Sequence, residues 1–201
     1  MTLFEFGRTI HCTCGERVAL EPRVRDLGDA GALRFFADAM LARLAHWLRI
    51  LGFDCAHEAE ISDEQLVRHA LEERRVILTR DTSLPEEWRI LGIHLVAARN
   101  PLGQLREIVA EFKLAAAARP FTRCSRCNTA LTRVTAAEIG ELASEQAPEQ
   151  APEQALERVP RRVLQTQAEL WRCTGCERVY WEGSHTDQMR QVIGKILEEK
   201  Q

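Results

Sequence analysis

The sequence predicts an α/β fold in which parallel strands alternate with helices and a small cysteine-bearing module follows. From Leu33 to Leu114, short apolar runs of strand length alternate with stretches of helical periodicity, the pattern of a sheet covered on both faces. After Pro120 that rhythm stops, and two Cys-x-x-Cys pairs, Cys124 with Cys127 and Cys173 with Cys176, stand among aromatic flanks. A chain of 201 residues, 45% hydrophobic and 28% charged, is long and apolar enough for one core plus a smaller module.

The first strand is Leu33-Arg34-Phe35-Phe36-Ala37, followed by a helix with Leu41, Leu44, Leu48 and Leu51 on one face and Gly52 as its C-cap. Phe53 to Ala56 forms the second strand. Ser62 and Gln65 make a capping box that opens the next helix, whose inward residues are Leu66, Val67, Ala70 and Leu71. Val76 to Thr79 is the third strand. Ser83 and Glu86 repeat the box, with Pro85 at the start of a short helix that ends near Gly92. Ile93 to Val96 is the fourth strand. Its helix follows Pro101 with Leu105, Ile108, Val109 and Phe112 on the buried face, and an alanine run to Ala118 leads out of the domain.

The α/β domain is thus expected over residues 33–119 and the cysteine module over 120–201, preceded by an N-terminal extension, 1–32. That extension holds a strand-like start, Leu3 to Ile10, and a Cys12-Thr13-Cys14-Gly15 turn; too short for its own core, it is expected to dock as a hairpin. Glu-Gln-Ala-Pro repeats, with Pro148 and Pro152 interrupting any helix, mark 139–157 as a disordered linker inside the module. The net charge is −3, but Glu138, Glu141, Glu145, Glu149, Glu153 and Glu157 lie in a stretch without Lys or Arg. Set aside, they leave a basic module compatible with phosphate contact. No apolar run is long enough to span a bilayer, so no membrane partner is expected, and the N-terminus lacks the pattern of a secretion signal. The expected location is the cytoplasm, where paired Cys-x-x-Cys turns bind metal in preference to forming disulfides.

Cys-x-x-Cys places two thiolates on one tight turn, and two such turns supply the tetrahedral set that Zn2+ prefers. Phe121-Thr122-Arg123 leads into the first turn, Leu170-Trp171-Arg172 into the second, and Val179-Tyr180-Trp181 leaves it as an aromatic strand, the build of a zinc ribbon. Four thiolates close the site, so Cys124, Cys127, Cys173 and Cys176 are assigned to structural zinc. Cys12 and Cys14 beside His11 offer only two usable ligands on one turn, and Cys55 reads as a small apolar packing residue.

In an open parallel sheet, ligands bind beyond the carboxyl ends of the strands. Asp38 directly follows the first strand, and Asp81 stands two residues after Thr79 at the end of the third. Asp63 and Glu64 open a helix near the same edge, where a helix dipole alone also favours acids. Carboxylates that converge repel one another unless a cation neutralises them, and Mg2+ or Mn2+ suits an all-oxygen site. Such a site suits phosphodiester hydrolysis, with Arg43, Arg49, Thr79 and Arg80 as candidate substrate contacts. His46, on the helix that carries Arg43 and Arg49, reads as a half-buried histidine. Other Asp-after-strand chemistries lack their residues. Met40 occupies the second position of a phosphotransfer Asp-x-Asp, the lysines at 113, 195 and 200 complete no Walker loop, and there is no dinucleotide fingerprint.

The strings Phe36-Ala37-Asp38-Ala39-Met40-Leu41, Arg43-Leu44-Ala45-His46-Trp47-Leu48-Arg49, Leu51-Gly52-Phe53-Asp54 and Leu78-Thr79-Arg80-Asp81 complete the picture. With both cysteine pairs and Val179-Tyr180-Trp181-Glu182-Gly183-Ser184-His185, they resemble the Mut-seven C-terminal ribonuclease family. Its PIN-like domain stands at the C-terminus of the mut-seven exonuclease and in free-standing bacterial and archaeal proteins. The resemblance implies a PIN-like three-layer α/β/α sheet with a fused zinc ribbon, RNA as substrate, and Asp38, Asp63 and Asp81 on the family's acidic positions. PIN nucleases usually carry a fourth acid shortly after the Thr-x-Asp position; here Thr82 and Ser83 stand there.

The leading expectation is a metal-dependent endoribonuclease whose ribbon positions RNA. A catalytically silent RNA-binding or ribosome-associated protein is the alternative, and an interaction adaptor built on the ribbon is a third. Oligomeric state is not encoded in any of these patterns.

Overall fold

The computed structural model describes residues 2–5, 8–11, 33–88, 90, 92–139, 159–167 and 169–198. Where the sequence offered one strand-like run, Leu3 to Ile10, two strands, β1 (Thr2–Glu5) and β2 (Arg8–His11), pair antiparallel; the Cys12–Cys14 turn and most of the linker lie outside the described residues.

The domain that follows is built on a parallel sheet. β3 (Arg34–Ala37) leads through a 3-10 turn (Ala39–Leu41) and α1 (Ala42–Ile50) to β4 (Asp54–His57), and α2 (Asp63–Glu73) leads to β5 (Val76–Thr79). A short α3 (Leu84–Glu87), β6 (Ile93–Leu95) and α4 (Pro101–Glu111) complete the run. All four strands are parallel in the order β4-β3-β5-β6. Because side chains alternate along a strand, the sheet buries two sets of residues. Phe35, Ala37, Cys55, Val76 and Leu78 face α1 and α4, while Phe36 and Ile77 face Leu66, Val67 and Ala70 of α2 and Leu84 of α3. The result is a parallel sheet alternating with helices, as the pattern predicted, in the three-layer α/β/α arrangement that the resemblance implied. Among the described residues no helix is long and apolar enough to cross a membrane.

The local signals are largely obeyed, with informative exceptions. Ser62 and Gln65 form the full capping box, and the Asn100 side chain caps α4 ahead of Pro101. Ser83 makes no side-chain cap, because its hydroxyl instead donates to Asp81. Leu71, expected to face inward, is 36% exposed, since Leu66, Val67 and Ala70 already fill the stripe that meets the sheet. The second strand starts at Asp54, not Phe53, whose N–H is taken by Leu48 as the chain closes α1.

The cysteine module is a three-stranded antiparallel sheet of β7 (Leu131–Val134), β8 (Leu170–Cys173) and β9 (Val179–Tyr180), in that order, with α5 (Arg161–Thr166) between β7 and β8. One face packs Leu170 and Val179 with Val159, Val163 and Ile139. Ile139, placed by the sequence at the head of the linker, is therefore a core residue, 2% exposed. The last helix, α6 (Ser184–Glu198), crosses back: Ile193 and Ile196 are buried in the α/β core beside α4.

Two joints hold the module to the domain. At Gly52 (φ +92°) a Cβ would meet the Arg119 carbonyl oxygen at 2.2 Å, so only glycine lets the chain pass there. In passing, it donates from Arg119 N to Leu51 O (2.9 Å) and from Phe121 N to Ile50 O (2.8 Å), satisfying carbonyls that the end of α1 leaves unpaired. The second joint covers the outer edge of β4. Cys55 N–H donates to Asn128 Oδ1 (3.1 Å), and Cys55 O accepts from Arg49 Nε (2.7 Å), while Arg49 also donates to the carbonyl of Arg126 (2.6 Å). Beside it, Asp54 accepts from Arg75 (2.5 Å) and Asn128 Nδ2 (2.7 Å). Burial alone would raise the Asp54 pKa, but the Arg75 and Asn128 hydrogen bonds, with the Arg75 and Arg123 charges, hold it below the ordinary carboxylate value.

Asp54→Ala is expected to cost about 1–3 kcal/mol, because Asn128 and the Arg75 side chain, 6% exposed, would lose an acceptor while Arg75 keeps its second carboxylate, Glu73. Since the folded pKa of Asp54 lies below its unfolded value, this contribution is complete above the ordinary carboxylate pKa and is lost as pH falls through the lowered one. Urea midpoints for wild type and Asp54→Ala should therefore stand apart at pH 7 and converge below about pH 4. A constant gap down to pH 2 would show that Asp54 acts through packing alone.

Candidate functional site

The chain steps from β3 outward to β4, then crosses back past β3 to β5, with α1 and α2 on opposite faces. The segments leaving the carboxyl ends of β3 and β5 therefore diverge and open a crevice, the switch point at which doubly wound sheets bind ligands. Asp38 and Asp81 stand there. Asp38, 8% exposed, is fixed from three sides: its N–H donates to Leu78 O (2.9 Å), Oδ1 accepts from Ala39 N (2.5 Å), and Oδ2 accepts from the Thr79 hydroxyl (2.6 Å). The same hydroxyl accepts from Asp81 N (3.0 Å), so Thr79 ties the two acids together across adjacent strands. Asp81 Oδ1 accepts from the N–H and hydroxyl of Ser83 (2.8 Å each), which lowers its pKa. Its carboxylate is thus ionised at neutral pH, with Oδ2 turned to no partner among the described residues.

Other sequence candidates take varied places. Asp63 is exposed at the first turn of α2, at the same end of the sheet. The fold sets Asp38, Asp63 and Asp81 along one edge but does not draw the three into a tight ligand group. Arg43 and Arg80 are exposed and near the ends of the two acid-bearing segments. Arg49 and Thr79 are not surface contacts: Arg49, 7% exposed, spends its guanidinium on main-chain carbonyls, and Thr79 is fully buried behind the acids. His46 stands at the surface with its ring partly covered, close to the half-buried reading. Its pKa is lowered by burial of the ring and by the Arg49 and His185 charges, against the opposing pull of Ser125. Sequence reasoning missed His57, whose Nε2 meets Ala39 O (3.1 Å) behind the Asp38 turn, because a histidine at a strand end carries no pattern of its own. It also missed Asn128, although an Asn directly after a Cys-x-x-Cys turn is a signal for a left-handed residue, and its φ is +72°.

The four cysteines are the group of metal-ligating side chains that the described residues gather: their sulfurs all lie within 4.8 Å of one another. Cys124 and Cys176 are 3.5 Å apart and Cys127 and Cys173 3.3 Å, near the roughly 3.8 Å edge of a tetrahedron with ~2.3 Å metal–sulfur bonds. All are free thiols. This donor set fits a metal such as zinc. The Cys127 N–H points at Cys124 Sγ (3.5 Å), and the Tyr180 hydroxyl lies 3.0 Å from the same sulfur, an arrangement that supports a thiolate. Burial would raise the Cys127 pKa, but its contacts with Thr129 bring it down to about 6. The knuckles touch at Gly175, where a Cβ would meet Thr129 Oγ1 at 2.4 Å and Cys127 Sγ at 3.4 Å. Gly175→Ala should separate them and weaken binding of the tetrahedral probe ion Co2+ by about 1–3 kcal/mol, read from its visible absorption during titration. Unchanged affinity would show that the second turn shifts without strain.

Comparison with known proteins agrees with this geometry. No curated protein and no solved structure matches the chain. The family model described as the Mut7-C RNAse domain matches residues 33–193, a span that holds the parallel sheet, the switch-point acids and all four cysteines. With the match covering most of the sequence, the chain belongs to the Mut7-C RNAse domain family.

Proposed function

We propose that this protein is a metal-dependent endoribonuclease in which Asp38 and Asp81, with Asp63 from the opposite side of the crevice, hold Mg2+ or Mn2+. The observation that carries the reading is the Asp38–Thr79–Asp81 chain of hydrogen bonds at the switch point, two acids aligned by a buried hydroxyl that has no other evident purpose. A nuclease assignment for the family agrees with it. The donor set fits a hard divalent ion. Asp81 presents a free carboxylate oxygen, and the Asp38 oxygens, each accepting one bond, keep further lone pairs. When bound, such an ion would activate a water and stabilise charge developing on the phosphate. The chain's own residues do the rest. Thr79 and the Ala39 N–H fix the Asp38 rotamer, Ser83 keeps Asp81 ionised, and Arg43 and Arg80 stand free at the rim to meet phosphates. Zinc at the four cysteines serves structure, holding the ribbon that completes the RNA surface.

The test is cleavage of a labelled structured-RNA pool by the full chain with Mn2+, zinc retained throughout. Asp38→Asn should abolish cleavage by at least about 100-fold, the scale of removing one charged group from a reaction centre. Thr79→Val, which keeps the shape and removes the hydroxyl, should lower it about 10- to 100-fold without displacing zinc. Equal background cleavage in wild type and Asp38→Asn, with RNA still bound, would replace this reading with that of a silent RNA-binding protein.

A further inference from the structure

A second concavity, away from the acids, lies where the ribbon, α1 and the start of α6 meet. It encloses about 610 Å³, the size range of small-ligand sites. Its walls mix aromatic and cationic groups: Trp171, Tyr180 and Trp181 from the ribbon, His46 from α1, and Arg162 from α5. Trp171 and Tyr180 face the same way because they are directly paired across β8 and β9, on the side of that sheet opposite its small core. Among the described residues Glu182 is the one acid in the lining, and it is already paired with Arg190. Among the described residues no acid pairs with the Arg162 side chain, although its carbonyl accepts from the Thr166 hydroxyl (2.7 Å). The first residues of α6, Ser184 to Thr186, also border the space, and a helix of that length presents unpaired N–H groups at its start.

The cleft is joined to the acidic edge by α1. That helix begins just after Asp38 and runs from the carboxyl edge of the sheet toward the ribbon. His46 stands seven positions after Ala39, roughly 10–14 Å along the 3-10 turn and α1 at ~1.5–2 Å per residue, and exposed Arg43 stands one turn before His46. A chain with a π-face and a negative charge at each repeat matches both parts of this surface.

We propose that the cleft takes an unpaired base of single-stranded RNA against Trp171, its phosphate met by Arg162 and the α6 start, and that α1 leads the adjoining strand past Arg43 to Asp38 and Asp81. This rests on the nuclease reading for its substrate class only. The ribbon is thereby a base-holding platform that sets which phosphate reaches the acids, and the substrate is single-stranded where it meets the ribbon.

The test is fluorescence anisotropy of a labelled oligouridine RNA with the zinc-loaded full chain carrying Asp38→Asn, so that nothing is cleaved. Adding Trp171→Ala should weaken binding about 5- to 150-fold, the worth of one stacked base, whereas Trp171→Phe should retain most of it. Arg162→Ala should weaken binding and reduce the slope of log K against log salt by roughly 0.7. Binding unchanged in Trp171→Ala and Arg162→Ala overturns the proposal, as does equal loss in the Ala and Phe variants or equally tight binding of a blunt RNA duplex. The two readings fail separately. Intact cleavage by otherwise wild-type chains with unaffected binding in the cleft variants would sink the cleft alone, and cleft-dependent binding by a wild-type chain that cuts nothing would sink the nuclease alone.

Discussion

A strand at the edge of a sheet exposes main-chain donors and acceptors that must find partners beyond the sheet, and here they find them in the cysteine module. On β4 the N–H of Cys55 meets Asn128 and its carbonyl meets Arg49, which in turn grips the first knuckle. Asn128 can do this because it directly follows Cys127 in a left-handed turn, a backbone shape fixed by the need for two sulfurs to point at one centre. The geometry of the thiol cluster is therefore transmitted to the sheet through one amide side chain. A metal held by these cysteines would stiffen that turn and, through it, the β4 edge, and would so link metal binding to the stability of the α/β domain.

The opposite ends of the same sheet divide the labour. Charges at the amino end, Asp54, Arg75, Glu73 and Arg34, pair with one another and with the Phe35 carbonyl, so their role is cohesion. At the carboxyl end Asp38 and Asp81 are held by neutral donors, and among the described residues no Lys or Arg pairs with them. Paired acids hold a structure together; acids left without a cation invite one from outside. This contrast in partners, not position in the sequence alone, is what supports the proposal for Asp38 and Asp81.

Much of this was legible from sequence for definite reasons. The sheet was readable because buried parallel strands such as Val76–Thr79 are continuous apolar runs, and helix starts such as Ser62 and Asn100 announce themselves through capping chemistry. The places of Asp38 and Asp81 at the carboxyl edge of the sheet were readable because the ends of the two strands were. What sequence could not carry was contact at long range. Arg49 reads as a surface arginine until the knuckle more than seventy residues later is seen to lie against it. Ser83 reads as a cap until Asp81 claims its hydroxyl, and Thr79 reads as a rim residue until the turn after β3 closes over it. In each case a side chain with two possible partners chose the distant or less regular one, which local patterns cannot rank.

The return of α6 to the α/β layer bears on how the chain is made. Ile193 and Ile196 complete a core that Phe35 and Leu44 begin, so the earliest part of that layer waits for residues translated about 150 positions later. During synthesis the apolar face formed by α1 and α4 stays partly uncovered while the ribbon emerges. Until that helix emerges, the nascent protein offers chaperones a patch that the finished molecule conceals.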